Sequence, residues 1–300
     1  MGTYHFGRYK VKTSHEDKTF FPEAGITKGD LIEYYRKIAR VMLPYIRERP
    51  LMMHRYPDGI AGKDFYQKDV PDYFPSWIRT KKVPKKEGTV LHALCNNAAS
   101  LVYLADQACI TYHPWLSRAD RLEYPDRMIF DLDPGGGDFD RVREAAFLLH
   151  DFLGELELEA FVMTTGSRGL HVVVPLLRKK KFDEVRGLAR QIAGSLAERY
   201  ADKLTVEQSI KKRQGRLYLD TNRNAYAQTA VAPYSVRARK EAPVSAPLHW
   251  HELEKNSLTP RSFTVANIFR RLGQTEDPWR GLRRSQQGLA SAAKILRRRA

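Results

Sequence analysis

Two cysteines in 300 residues, Cys95 and Cys109, form no CxxC pair. They are too few for a disulfide framework or a cysteine-rich zinc site. Both are expected as small buried hydrophobes in a reducing, cytoplasmic compartment. Long apolar runs are also missing. The longest, residues 170–177, contains His171 and Pro175 and is too short to span a bilayer. The opening MGTYHFGRYK has no apolar stretch behind its charges and does not read as a secretory leader. Acid is in deficit: 35 Asp and Glu face 51 Lys and Arg, a formal net charge of +16. That balance argues against small cationic substrates and for a polyanionic partner, nucleic acid or an anionic membrane surface. Gly59-Ile60-Ala61-Gly62-Lys63 has the wrong spacing for a P-loop and is followed by Asp64. There is no GxGxxG after a strand, no HExxH and no GxSxG.

What is present suits a globular protein, with 42% hydrophobic and 11% aromatic residues. A chain of this length buries about three quarters of its unfolded surface without staples. Thr27 and Asp30 resemble a capping box, and Leu31, Tyr34, Tyr35, Ile38, Met42 and Tyr45 recur at helical spacing until Pro44 interferes. Strands are expected over 51–56, 109–113, 127–133, 160–165, 170–177 and 216–220, and helices over 96–107, 138–155, 182–200 and 261–272. Residues 63–88, with Lys81, Lys82, Lys85 and Lys86, read as an irregular surface segment. Residues 280–300 carry seven Lys/Arg and no acid, and read as a flexible basic arm. Irregular alternation of strands and helices predicts mixed α+β rather than a doubly wound sheet.

Ile129-Phe130-Asp131-Leu132-Asp133-Pro134 places two carboxylates on one face of a strand and two apolar side chains on the other. Like charges so close need a cation, or one of them must be protonated. Oxygen donors of this kind suit Mg²⁺ or Mn²⁺. The plain alternative is an Asp-Pro-Gly turn on a solvated edge. Arg216-Leu217-Tyr218-Leu219-Asp220 is a second apolar strand ending in Asp. Three carboxylates could hold two ions about 3.5–4 Å apart for in-line displacement at phosphorus.

Thr164-Thr165-Gly166-Ser167-Arg168-Gly169-Leu170-His171 could cradle phosphate with backbone N–H groups, hydroxyls and Arg168. A plain hairpin turn would read the same way, and His171 could be a core histidine. Lys211, Lys212, Arg213, Arg216, Arg223, Arg237 and Arg239 flank Asp220, as a triphosphate would require, although charge runs are usually solvated faces. His113 follows a strand. Phe65 and Tyr66 lie between Lys63 and Lys68, which suits either base stacking or a core.

Together IFDLDP, TGSRGLHVVVPL and RLYLD with RNAYAQTAVAPYSVRAR resemble the three motifs of the archaeo-eukaryotic primase superfamily. The chain is most similar to the polymerase domain of prokaryotic ligase D. DKTFFPEAGITKGDLIEYY, RPLMMHRYPDGIAGKDFYQK, TYHPWLSRADRLEYPDRMIFDLDPG and APVSAPLHWHEL extend the likeness over roughly residues 10–275. The resemblance implies an α+β, two-lobed primase-polymerase core with an RRM-like mixed sheet, flanking helices and an active-site cleft between the lobes. That core would occupy residues 1–279, with 280–300 as a basic tail.

The resemblance also implies roles. Asp131, Asp133 and Asp220 would bind two divalent ions. His113 would contact the ribose 2′-hydroxyl, favouring NTP over dNTP. Thr165, Arg168, Arg213 and Arg237 would hold the triphosphate, and His171 would support the nucleotide site. Phe65 and Tyr66 would stack on bases. Lys18 and Lys28 would bind the downstream 5′-phosphate. Some positions depart from the family. Thr165 stands where serine is usual, Arg168 where lysine is usual and Tyr66 where phenylalanine is usual, while His54 stands where some members carry lysine.

The implied activity is gap filling at double-strand breaks in non-homologous end joining, on DNA ends and gapped DNA. Ku and a DNA ligase are expected as partners, no membrane is involved, and the location is cytoplasmic, on the nucleoid. The rivals are a primase of the same superfamily, a non-catalytic end-bridging protein and a metal-dependent nuclease.

Overall fold

The computed structural model describes residues 2–85, 87–134 and 138–299. Lys86 of the basic cluster and the three glycines after Pro134 lie outside the described residues. The chain divides into two compact units, each built from separate stretches: Met1–Asp120, Thr229–Ser245 and Phe263–Arg271 in one, Arg121–Gln228, Ala246–Ser262 and Leu272–Ala300 in the other.

In the first unit, β1 (Thr3–Phe6) and β2 (Tyr9–Lys12) form a hairpin, and β3 (Thr19–Phe21) pairs with β4 (Ile26–Thr27). Helix α1 (Lys28–Ile46) then starts where the capping box places it. Thr27 Oγ1 accepts from the Asp30 amide at 3.2 Å, and Asp30 Oδ2 accepts from the Thr27 amide at 2.9 Å. Its apolar stripe is fully buried, and the helix stops two residues past Pro44. The buried tyrosines keep their hydroxyls satisfied: Tyr34 donates to the Tyr234 carbonyl at 2.7 Å and Tyr35 to the Ile110 carbonyl at 2.6 Å.

Strands β5 (Leu51–Arg55), β6 (Phe65–Gln67) and β9 (Cys109–Pro114) form a sheet in the order β6-β5-β9. Between them lie the hairpin of β7 (Thr80–Pro84) and β8 (Thr89–Ala93) and helix α2 (Ala98–Asp106), which packs on α1. The hairpin corrects the expectation of an irregular segment over 63–88. Only Val83 of β7 is buried, so no alternation betrays the strand. A short strand β10 (Ser117–Arg118) follows.

The second unit opens with β11 (Arg121–Pro125). Its core is a six-stranded sheet of β12 (Arg127–Asp133), β13 (Phe161–Thr164), β14 (Leu170–Pro175), β15 (Leu204–Thr205), β16 (Leu217–Asp220) and β17 (Pro247–Leu248). The order is β15-β16-β12-β14-β13-β17, with only β15–β16 parallel, so the sheet is mixed. Helices α3 (Phe139–Glu155) and α4 (Phe182–Arg199) pack against it. Phe130, Leu132, Leu217 and Leu219 are buried on one face, and the other face carries Asp131, Asp133, Tyr218 and Asp220.

Two further expectations change. Helix α5 covers Ile268–Gln274, not 261–272, because residues 263–265 bond to the chain at 242–244 instead, with the Val244 amide donating to the Phe263 carbonyl at 2.8 Å. The tail is not a free arm. Helix α6 (Ala290–Arg299) buries Ala292 and Leu296 and contacts α4, and Gln287 bridges Leu176. Seven cations in the tail's sequence had hidden this small apolar stripe. Both cysteines are buried and free, and burial pushes both thiols up.

Candidate active site

β12 is the middle strand of the acidic face. Asp131 lies opposite Asp220 on β16 and opposite His171 on β14, and Asp133 lies opposite Tyr218. The sequence could not make β12 and β16 neighbours; the sheet register does. Asp131 Oδ1 lies 3.5 Å from His171 Nε2, and Asp131 Oδ2 accepts from Arg223 Nε at 3.2 Å. Burial would raise the Asp131 carboxyl. The His171 imidazole and the Arg223 guanidinium outweigh it and hold the group well below the usual carboxylate range. Asp133 Oδ2 accepts from Arg168 Nη2 at 2.9 Å. Asp220 Oδ1 accepts from the Asn222 amide at 2.7 Å.

Among the described residues, no group of three or more His, Cys, Asp or Glu is gathered as a metal cage. The donor chemistry nevertheless fits hard cations. Three carboxylates share one face, and guanidinium groups neutralise two of them.

The turn between β13 and β14 is shaped by two residues. Gly166 has φ +65°, and a Cβ on Gly169 would overlap the Leu132 carbonyl. The hairpin tip therefore lies against the β12 backbone just before Asp133. Thr165 Oγ1 donates to the Gly169 carbonyl at 3.0 Å and accepts from the Ser167 amide at 3.3 Å, so the hydroxyl shapes the turn itself. Arg213 is folded onto its own loop, donating to the Gln208 carbonyl at 2.8 Å with its guanidinium over the Tyr218 ring.

The remaining predicted residues belong to the first unit. Phe65 and Tyr66 on β6 are exposed, at 43% and 56%. Tyr66 meets His113 edge-on, with 6.0 Å between ring centres. Arg237 also belongs to this unit, whereas Thr165, Arg168 and Arg213 belong to the other. Lys18 and Lys28 line one pocket of about 290 Å³ with Ser14, Arg55 and Asp106. The Lys28 amide donates to the Lys18 carbonyl at 2.8 Å, which sets the two side by side.

Sequence reading missed four partners: Asp106, Arg55, Asp64 and the pairing of Arg223 with Asp131. Arg55 donates to the Gln107 carbonyl at 2.6 Å and lies over the Phe65 ring. Asp106, Arg55 and Asp64 lie in unremarkable stretches, and only the tertiary contact marks them; Arg223 lies in a visible charge run, but its partner does not show there.

A family model, the LigD primase-polymerase domain, matches residues 27–279. The chain belongs to that family. A multifunctional non-homologous end joining protein LigD of Mycolicibacterium smegmatis is 34% identical over 247 residues, covering 81% of this chain and 32% of that protein. A LigD of Pseudomonas aeruginosa is 32% identical over 285 residues, covering 94% of this chain and 34% of that protein. The chain therefore spans about a third of the length of these relatives. The solved polymerase domain of Mycobacterium tuberculosis ligase D in complex with DNA superimposes with a TM-score of 0.87 at 29% identity, over 92% of this chain and 99% of that one. The α+β fold is that of the LigD polymerase domain. No helix among the described residues is long and apolar enough to cross a membrane.

Proposed function

We propose that the chain is a template-directed nucleotidyltransferase that fills short gaps at broken DNA ends, preferring NTP over dNTP. The observation that carries this is the register of β12 and β16, which sets Asp131 against Asp220 with Asp133 on the same face. Asp131, Asp133 and Asp220 would hold two Mn²⁺ or Mg²⁺ ions, which when bound would make a primer 3′-hydroxyl more acidic and offset negative charge on the triphosphate.

The chain's own residues do the rest. Asp131 stays ionised beside His171 and Arg223, so it offers a full charge at neutral pH. Arg168 and Arg213, with Thr165, would hold the triphosphate in line, and Arg237 would add charge to it. Phe65 and Tyr66 would stack on bases, and His113 would meet the 2′-hydroxyl. Lys18 and Lys28 would take the downstream 5′-phosphate. End joining as the setting rests on the names of the relatives; Ku and a ligase would act on the same ends.

The test is extension of a gapped DNA bearing a downstream 5′-phosphate, with each NTP or dNTP and Mn²⁺ or Mg²⁺. Templated addition that is stronger with NTPs, and falls at least about a hundredfold in Asp131→Ala, supports the proposal. DNA binding without extension under either metal overturns it in favour of an end-bridging protein. Extension indifferent to the 5′-phosphate favours a primase.

A further inference from the structure

His54 and Tyr66 face each other across β5 and β6 in antiparallel register. Their rings are stacked, with centroids 3.9 Å apart and planes 19° from parallel. The imidazole is tethered at both edges. Nε2 lies 2.6 Å from Asp64 Oδ2, and Nδ1 lies 3.4 Å from the Tyr56 hydroxyl. The Tyr56 ring closes on it from a third side, 4.5 Å between centres. The His54 side chain is only 13% exposed, whereas Tyr66 is 56% exposed. A buried, doubly tethered plane thus backs an open one.

We propose that His54, fixed by Asp64, is a positioning residue for base stacking: it forms the rear wall that holds the Tyr66 ring flat for a nucleobase on its open face. The inference rests on the reading of Tyr66 as a stacking residue and adds what makes it effective.

The physical reason is preorganisation. An exposed tyrosine samples several rotamers, and fixing one on binding costs free energy that the stack must offset. A planar neighbour within van der Waals distance restricts those rotamers beforehand. A side chain without a plane could offer no such face. Asp64 matters because an imidazole free to rotate would not hold a parallel face. Its carboxylate accepts from Nε2 and fixes the ring about its own axis. A bland reading exists, in which the stack only stiffens the β5–β6 pair. It predicts an effect on folding and none that depends on a base.

The experiment uses the full chain and a gapped DNA carrying 2-aminopurine at the templating position, reading affinity and fluorescence quenching. Unfolding midpoints are measured alongside. Tyr66→Ala is expected to weaken binding roughly five- to a hundredfold and abolish quenching. His54→Ala weakens it roughly two- to tenfold. His54→Phe, which keeps the ring, stays within about twofold of the parent, whereas His54→Gln, which keeps hydrogen-bonding capacity without the ring, falls with alanine. Asp64→Asn lies between. On a Tyr66→Ala background, His54→Ala has no further effect.

Additive losses for His54→Ala and Tyr66→Ala overturn the inference while leaving the stacking reading intact. So does a His54→Phe chain that binds as poorly as His54→Ala with an unchanged midpoint. A Tyr66→Ala chain that binds and quenches like the parent overturns the stacking reading and the inference with it.

Discussion

Lys28 Nζ lies 2.8 Å from Asp106 Oδ1, with the two side chains only 8% and 7% exposed. The ammonium also donates to the Ser14 carbonyl at 2.7 Å, and the Ser14 amide donates to the same Asp106 oxygen at 2.9 Å. Lys18 differs: it pairs with Asp58 at 2.6 Å, but its side chain is 40% exposed.

The two pocket lysines should therefore fail in different ways. Lys28→Ala leaves a buried carboxylate uncompensated and is expected to destabilise the protein by about 3–5 kcal/mol. Lys18→Ala should cost less than about 1 kcal/mol and still remove the benefit of a 5′-phosphate on gapped DNA. Urea unfolding beside extension assays with and without the phosphate checks both. Equal stability losses would contradict the buried pair.

Gly169 is the point where the hairpin tip meets β12. Gly169→Ala forces the turn away from the Leu132 carbonyl. Overpacking of this kind costs about 1–3 kcal/mol. It also shifts the backbone that aims Asp133, so extension should fall by about a hundredfold while DNA affinity holds. Gly166→Ala tests a different point, since Gly166 needs its left-handed φ of +65° and not a close approach.

Acid sensitivity above the carboxylate range should come from histidine. His92 is buried, with Nδ1 3.1 Å from the Leu51 carbonyl. A carbonyl only accepts, so Nδ1 carries the proton of the neutral ring. Burial pulls the group below its ordinary value of 6.5, against that hydrogen bond, and pulls His54 the same way against Asp64. The unfolded chain then binds more protons than the folded one below pH 6.5, so stability falls as pH drops through that value. The urea midpoint should be flat above about pH 7 and decline below it. His92→Gln should flatten the decline; an unchanged slope would exclude His92 as its source.

The β7–β8 hairpin raises Lys81 and Lys82 on a regular scaffold. If these cations contact phosphates, replacing both with alanine lowers the slope of log K against log salt by about two. Binding weakens alike on all DNA sequences. A sequence-dependent loss in a binding-site selection would refute a phosphate role.

Elements with strong local signals were readable in the sequence. Thr27 and Asp30 announce α1, the β12 strand is bounded by its own apolar run, and α2 begins at Ala98, close to the expected residue 96. Where partners are distant, the sequence was silent. Nothing near Asp131 says that Asp220, 89 positions on, will sit opposite it. Asp106 looks like the end of an ordinary helix until Lys28 arrives. The β7 strand escaped because it buries a single side chain and so has no periodicity to detect. The tail misled because the two buried side chains of α6, Ala292 and Leu296, are outweighed by the charges around them. Family likeness supplied the expected roles of His113, Phe65 and Lys18, which chemistry alone left as core or surface residues.

Arg55 has a consequence of another kind. One guanidinium lines the Lys18–Lys28 pocket, ties the Gln67 side chain at 2.6 Å and lies over the Phe65 ring. The wall of the pocket and the underside of the Phe65 ring are thus one side chain. A molecule held in that pocket would therefore lie a single arginine away from the Phe65 ring, a separation set by one side chain like the jaws of a gauge.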